Sequence, residues 1–424
     1  MHSFFVLTQS QPVGLTRTQS ANNLVTDSGA AGTALACGFK TNNGALGVLP
    51  NGQPVGSVLE AAKLNGFKTG LVVTSTINHA TPAAYSAHSA DRNAYAQIAA
   101  QQVGYSHPLG QAVDVLLGGG RCYFKPEGSS ASCREDNIDL FAYAEKRGYH
   151  VAQNRSDFDA LDLGRGNVRL PILGLFNDGD LSYEVDRKQQ AEDVREPSLS
   201  EMTEVGLNAL HRATHCKEKG FFMMIEASRI DHASHANDPA AHLWDVLEYN
   251  NVMDKVLKWI DAHPDTAMIS VADHETGGIT LPSRHDPSRL TSATQSIEYL
   301  TELWENYDGS DRRGYLTSDI LPAYGLSDAS GSDIDSILSG SFASRLSALL
   351  SSRAGIAWGT GGHTAVDTTL YAYAVGDMGE QLKLDVAGSF DNTELPWYVA
   401  DALKVDMDEV TALLRGNGTD WVPT

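Results

Sequence analysis

A carboxylate stands beside a hydroxyl at Asp27-Ser28, within Val25-Thr26-Asp27-Ser28-Gly29-Ala30-Ala31-Gly32-Thr33-Ala34. Alanine is the strongest helix former, so residues 30–36 read as helix. Ser28 then lies at or just before the first turn. Unpaired N–H groups and the positive end of the helix dipole favour an anion there. Such a position suits holding a phosphate and easing the ionisation of a serine. Asp and Ser are also ordinary N-caps, so this stretch alone leaves both readings open.

Three other segments carry acids and histidines. The first runs from Ile225-Glu226 through Asp231-His232 to His235. Asp231 and His235 are one helical turn apart and can face one point. The second, Val271-Ala272-Asp273-His274-Glu275-Thr276-Gly277-Gly278, offers two ligand types where a strand ends. The third is Gly361-Gly362-His363-Thr364, whose glycines allow close approach of the backbone. Carboxylate and imidazole together suit zinc, at roughly 2.0–2.2 Å. Taken singly, an Asp-His pair is commonly a solvated turn. The three in succession, with an activated serine, argue for a metal centre. Arg92 follows His79-Ala80-Thr81-Pro82-Ala83-Ala84-Tyr85. A guanidinium can hold two phosphate oxygens in a planar fork, although a surface arginine on a helix is the commoner case.

The elements that must position these residues are legible in outline. Ser57-Val58-Leu59-Glu60 is a capping box, with a helix to Asn65-Gly66. Residues 69–74, 113–117, 149–152, 170–176, 221–225, 266–271 and 370–375 read as strands. Pro171 limits pairing in one of them. Helices are expected over 139–147, 198–214 and 408–414. Another starts at Asp238-Pro239 and carries apolar residues at a 3.6-residue period. The alternation predicts an α/β fold: a mainly parallel central sheet with helices on both faces. Ligands in such sheets bind beyond the carboxyl ends of the strands, where two of the three segments emerge. Residues 283–353 break the rhythm, being polar and irregularly helical. They read as a crown-like insertion over one end of the sheet, between catalytic parts 1–282 and 354–424.

The 424 residues carry a formal charge of -22. That argues against nucleic acid or an anionic membrane as the main partner. An anionic small substrate remains compatible, because a bound metal reverses the local field. No run is long enough to span a membrane. Met1-His2-Ser3-Phe4-Phe5-Val6-Leu7 lacks the basic start and long apolar core of a signal peptide. Cys122 and Cys133 flank a Gly/Ser-rich loop and could be bridged, whereas Cys37 reads as a small buried residue. Asn154-Arg155-Ser156 and Asn417-Gly418-Thr419 are glycosylation sequons.

On Thr26-Asp27-Ser28, residues 40–45, His79 through Ala83, Glu226 through His235, Asp273 through Gly278 and Gly362-His363-Thr364, the chain resembles the alkaline phosphatase family. The likeness is to its fungal vacuolar and secreted kind. The resemblance implies a phosphate monoester hydrolase working through a phosphoserine at Ser28. Arg92 would clamp the phosphate, oriented by Asp27. Asp231, His235 and His363 would hold one Zn2+, and Asp273 and His274 a second beside the Ser28 oxygen. Glu226 and Thr81 would serve a Mg2+. His79 and His232 would neighbour the metals without ligating them. Two such ions about 4 Å apart stabilise the attacking and leaving oxygens of an in-line displacement. Inversion at each of two steps gives net retention at phosphorus. The resemblance further implies the secretory route, with a vacuolar or extracellular destination, and a homodimer. The family also places an Asp-Gly turn at the end of an N-terminal strand, where its Asp bridges zinc and magnesium. No acidic residue lies between Met1 and Asp27, and Asp178-Gly179 and Asp308-Gly309 sit in polar loops. The expectation is therefore an N-terminally truncated fold with a gap in its sheet and weak or absent activity. The competing readings are a non-catalytic phosphate- or zinc-binding relative and a phosphodiesterase.

Overall fold

β-Branched and apolar runs alternate with capped helices along the chain. In the computed structural model, which describes residues 12–166, 168–282 and 284–424, these runs build two sheets. The sequence expectations placed on Met1–Leu7, and on Ser283 at the edge of the insertion, fall outside the described residues.

Strand β1 (Pro12–Arg17) is followed by helix α1 (Ser28–Cys37). Helix α2 (Val58–Leu64) begins at the Ser57/Glu60 capping box and leads into β2 (Lys68–Thr76). Helices α3 (Ala80–Ser86) and α4 (Tyr95–Gln102) precede β3 (Val115–Gly119). Helix α5 (Leu140–Lys146), capped by Asp139, leads to β4 (His150–Ala152) and β5 (Ile172–Leu175). A second capping box, Ser198/Glu201, opens α6 (Leu199–Thr214) ahead of β6 (Phe221–Glu226). Next come α7 (Arg229–His235) and α8 (Pro239–Ala262), the latter capped by Asp238. Strands β7 (Met268–Val271) and β8 (Glu275–Thr276) follow. Beyond a helical segment lie β9 (His363–Thr364), β10 (Thr368–Tyr373) and β11 (Gly388–Asp391).

The five-stranded sheet has the order β4-β5-β3-β2-β6, and every pair in it is parallel. Its strands read as unbroken apolar runs because both faces are covered. Leu71, Val73, Leu116, Leu173 and Leu175 turn to one core. Their neighbours Val72, Val115, Leu117 and Ile172 turn to the other. The second sheet, β11-β1-β10-β7, contains antiparallel pairs on both sides of β10. A gap in the sheet was the expectation, and the described ladder falls into two sheets in which β6 and β7 are edge strands. Among the described residues β6 and β7 share no ladder, and both are half-buried along their whole length. Periodicity reveals a strand but not its partner, which long-range packing selects.

The segment read as irregularly helical is a mixture of short 3-10, π and α turns with three longer helices. It contains α9 (Ile297–Glu305), α10 (Gly331–Ser339) and α11 (Phe342–Ala354). Leu300, Leu316, Ile320, Tyr324, Leu346 and Leu350 give it a core of its own. Its Ser- and Asp-rich composition belongs to the solvated faces. Asp238 ties it down, accepting Tyr324 O–H at 2.9 Å and the Ile297 N–H at 2.7 Å.

Candidate active site

Asp27 caps α1: its Oδ1 accepts the Ala30 N–H at 2.9 Å. Ser28 is therefore the first helical residue, and its Oγ lies 2.9 Å from His274 Nε2. A Cβ on Gly29 would meet Ala45 O at 2.9 Å, so the backbone beside the serine fits only glycine. The second oxygen of Asp27, Oδ2, accepts from Gly44 N and from Arg92 Nη1, each at 2.9 Å. Arg92 is in a turn between α3 and α4, not on a helix, and its N–H donates to Gly44 O at 2.7 Å. Asp27 is its one ion-pair partner among the described residues, which leaves the rest of the fork open.

Strand β6 delivers Glu226 at its end, α7 carries Asp231, His232 and His235, and the turn after β7 carries Asp273 and His274. His363 opens β9, which pairs with β8. Three imidazoles meet here, and their protons can be assigned from their partners. His363 Nδ1 lies 2.7 Å from Thr26 O, and His235 Nδ1 lies 2.8 Å from Gly361 O. A carbonyl only accepts, so both Nδ1 atoms carry hydrogen. His274 Nδ1 lies 3.2 Å from Thr276 Oγ1, whose own hydrogen goes to Asp231. His274 Nδ1 is thus also a donor. In each neutral ring the lone pair then sits on Nε2.

Those lone pairs converge. His235 Nε2 and His363 Nε2 are 3.0 Å apart, and Asp231 oxygens lie 3.4 and 3.6 Å from them. His274 Nε2 faces Ser28 Oγ and, at 3.1 Å, Asp273 Oδ2. Ligand atoms of Asp231, His274 and His363 all fall within 4.8 Å of one another. Bare nitrogens pointing at each other and at carboxylates repel unless a proton or a metal cation lies between them. Donation of the second ring nitrogen to a carbonyl is also how metal-bound histidines are held. Glu226 completes the picture. Among the described residues its Oε2 and the nearby Thr81 Oγ1 are buried without a hydrogen-bond partner within 3.5 Å. Burial, then the charge of Asp273, pushes the Glu226 carboxyl up to about 8. A divalent cation would reverse that penalty. The donor set fits the metals that the sequence implies.

His79 and His232 pack edge-to-face, with ring centroids 5.3 Å apart. Burial and the neighbouring His232 push His79 down to about 4. Arg229 donates to His232 Nδ1 at 3.0 Å, so the proton of that ring is on Nε2. It therefore presents a donor where the three other rings present lone pairs. The glycines before His363 do less than expected. A Cβ on Gly361 or Gly362 would find nothing nearer than 3.4 Å. The tight glycine is Gly277, at φ +88°, where a Cβ would meet the Trp358 ring at 2.7 Å. Sequence gives Thr276 no role, since a threonine after a strand carries no signal of its own.

The family model described as alkaline phosphatase matches residues 6–405. The chain belongs to the alkaline phosphatase family. It is 42% identical to the alkaline phosphatase of Schizosaccharomyces pombe, over 95% of this chain and 76% of that one. It is 38% identical to the repressible alkaline phosphatase of Saccharomyces cerevisiae, with the same coverage. The crystal structure of Thermus thermophilus alkaline phosphatase superposes with a TM-score of 0.80 at 30% identity, over 97% of this chain and 88% of that one. As an alkaline phosphatase, the chain is a metal-dependent phosphoric monoester hydrolase. Nothing in these matches supports a truncated chain of weak activity, a non-catalytic relative or a phosphodiesterase.

Proposed function

We propose that Ser28 is the nucleophile of this phosphatase and that Asp27, Arg92 and the clustered acids and histidines serve it. The carrying observation is the placement of Ser28 Oγ at the first turn of α1, 2.9 Å from His274 Nε2. Ser28 Oγ attacks phosphorus, and the P–O bond to the alcohol breaks on the opposite side. The open edge of Arg92 takes two non-bridging oxygens, and Asp27 fixes its orientation. The N–H groups at the start of α1 face the same charge. Water then displaces Ser28 Oγ from phosphorus and releases inorganic phosphate. Asp231, His235 and His363 would hold one zinc, Asp273 and His274 a second, and Glu226 and Thr81 a magnesium. Ions bound there supply Lewis acidity to the phosphoryl, attacking and leaving oxygens. His232 and His79 stay uncoordinated beside the metal ligands, packed edge-to-face against each other.

Acid quenching during turnover of a phosphate monoester should trap phosphoserine at Ser28, found by peptide mass spectrometry. Ser28→Ala should abolish both the adduct and turnover. Turnover by Ser28→Ala, or an adduct elsewhere, would overturn the assignment. The Cys122–Cys133 disulfide and two exposed sequon asparagines, Asn154 and Asn417, support an oxidising, secretory compartment.

A further inference from the structure

A cleft of about 870 Å³ opens against the site, and His235 belongs to both. Its walls include His79, Tyr95, Tyr123, Asp180 and His232. In-line displacement puts the leaving oxygen opposite Ser28 Oγ. Ser28 lies against His274, and the Asp231–His235–His363 group lies beyond it. The alcohol half of the substrate is thereby directed past His235 into the cleft.

That cleft has an aromatic wall. Tyr95 and Tyr123 stack with centroids 5.1 Å apart and planes tilted by 32°. Tyr95 continues onto His79, at 6.4 Å and 16°. Among the described residues neither phenol hydroxyl has a hydrogen-bond partner, and both rings are partly exposed. Tyr123 is adjacent to Cys122, whose disulfide to Cys133 closes the loop, and its carbonyl accepts from Arg134 at 3.0 Å. A tethered ring of this kind is a fixed surface, not a swinging one. The far wall is polar and acidic. Asp180 and Glu298 both pair with Arg229, and Asp178 pairs with Arg121 and Lys125. These cations are already matched, so a polyanionic leaving group would find none free.

We infer that this cleft is a leaving-group subsite, selecting phosphate monoesters whose alcohol carries an uncharged planar ring that packs against Tyr123 and the edge of Tyr95. The inference rests on Ser28 as the attacking group. Stacking partners of this geometry contribute roughly a two- to twelve-fold preference.

The test compares substrates of equal intrinsic reactivity with and without the ring. Adenosine 5′-monophosphate is set against ribose 5-phosphate, and 2-phenylethyl phosphate against propyl phosphate. The two pairs separate a nucleoside from a simple aryl group. In the full chain each ring-bearing ester should show a higher kcat/KM. Tyr123→Ala and Tyr95→Ala should lower kcat/KM for the ring-bearing esters roughly two- to twelve-fold and leave the ring-free esters unchanged. Tyr123→Phe should keep the preference, because the ring face and not the hydroxyl does the selecting. An equal fall for both kinds of ester, or no fall in either pair, would overturn the subsite. Phosphoserine trapping is run on every variant. Loss of the Ser28 adduct would indict the nucleophile assignment, whereas a normal adduct with no ring preference indicts the subsite alone.

Discussion

Asp27 divides its two carboxylate oxygens between two tasks. One caps α1 through Ala30, and the other fixes Arg92 and Gly44. The tasks can be separated by substitution. Asp27→Asn keeps a capping oxygen but removes the charge facing Arg92, so kcat/KM should fall while thermal stability changes little. Asp27→Ala loses both, and should cost about 1 kcal/mol of stability in addition. Thermal melts and phosphatase assays on the pair check this. Thr276 makes a similar case. Its single oxygen donates to Asp231 and accepts from His274 Nδ1, holding one acid and one imidazole at once. Thr276→Val should weaken metal retention roughly 10- to 100-fold, read by chelator competition. Acids and imidazoles suited to a metal stand out in sequence, as does the Asp27-Ser28 pair. Thr26, Gly361 and Thr276 set the proton positions through backbone carbonyls or a lone hydroxyl. Any residue could supply such a carbonyl, so no pattern of side chains pointed there.

Between elements, a buried ion pair joins α2 to the loop that carries Arg92 and to the loop after α4. Glu60 Oε1 lies 3.0 Å from His88 Nε2 and 2.9 Å from His107 Nε2. His88 Nδ1 lies 2.7 Å from Gly47 O, in the loop whose Gly44 accepts from Arg92. These three residues approach one another as closely as metal ligands do. Their protons say otherwise. The Leu109 N–H donates to His107 Nδ1 at 3.2 Å, which leaves the proton of that ring on the side of Glu60. His88 faces acceptors with both nitrogens and is therefore the cation of the pair. Burial alone would lower His88, but the Glu60 charge outweighs it and raises the imidazole above its usual value. Burial would likewise raise Glu60, and the two histidines hold it well below the carboxylate range. The sign of the linkage follows. The His88 share of stability is complete below the ordinary histidine pKa and is lost as pH rises through the raised value. The Glu60 share is present above the ordinary carboxylate pKa and is lost only in strong acid. Melting temperature should therefore decline from about pH 6 into the alkaline range, in which the enzyme's family is active. His88→Gln should flatten that decline. An unchanged slope would assign it to other groups.

Over the whole molecule, the alternation of strands and helices specified the α/β class, and the capping boxes at Ser57 and Ser198 marked helix starts to the residue. The partition into two ladders was not legible. Nothing in Met268–Val271 distinguishes a strand bound to β6 from one bound to β10. The helical character of 297–354 was legible, but its separate core was not, for a different reason. Its inward Leu, Ile and Tyr residues are outnumbered by serines and aspartates that face water.

The free flanks of β6 and β7 have a cost outside catalysis. Among the described residues each leaves one side of an apolar strand without a ladder partner, the kind of border onto which a neighbouring molecule zips. The formal charge of -22 keeps such neighbours apart while salt is dilute. At about 1 M salt that repulsion reaches only about 3 Å. Light scattering of a concentrated solution should therefore climb with sodium chloride and subside on dilution. A flat trace up to that concentration would mean the two borders are shielded from company.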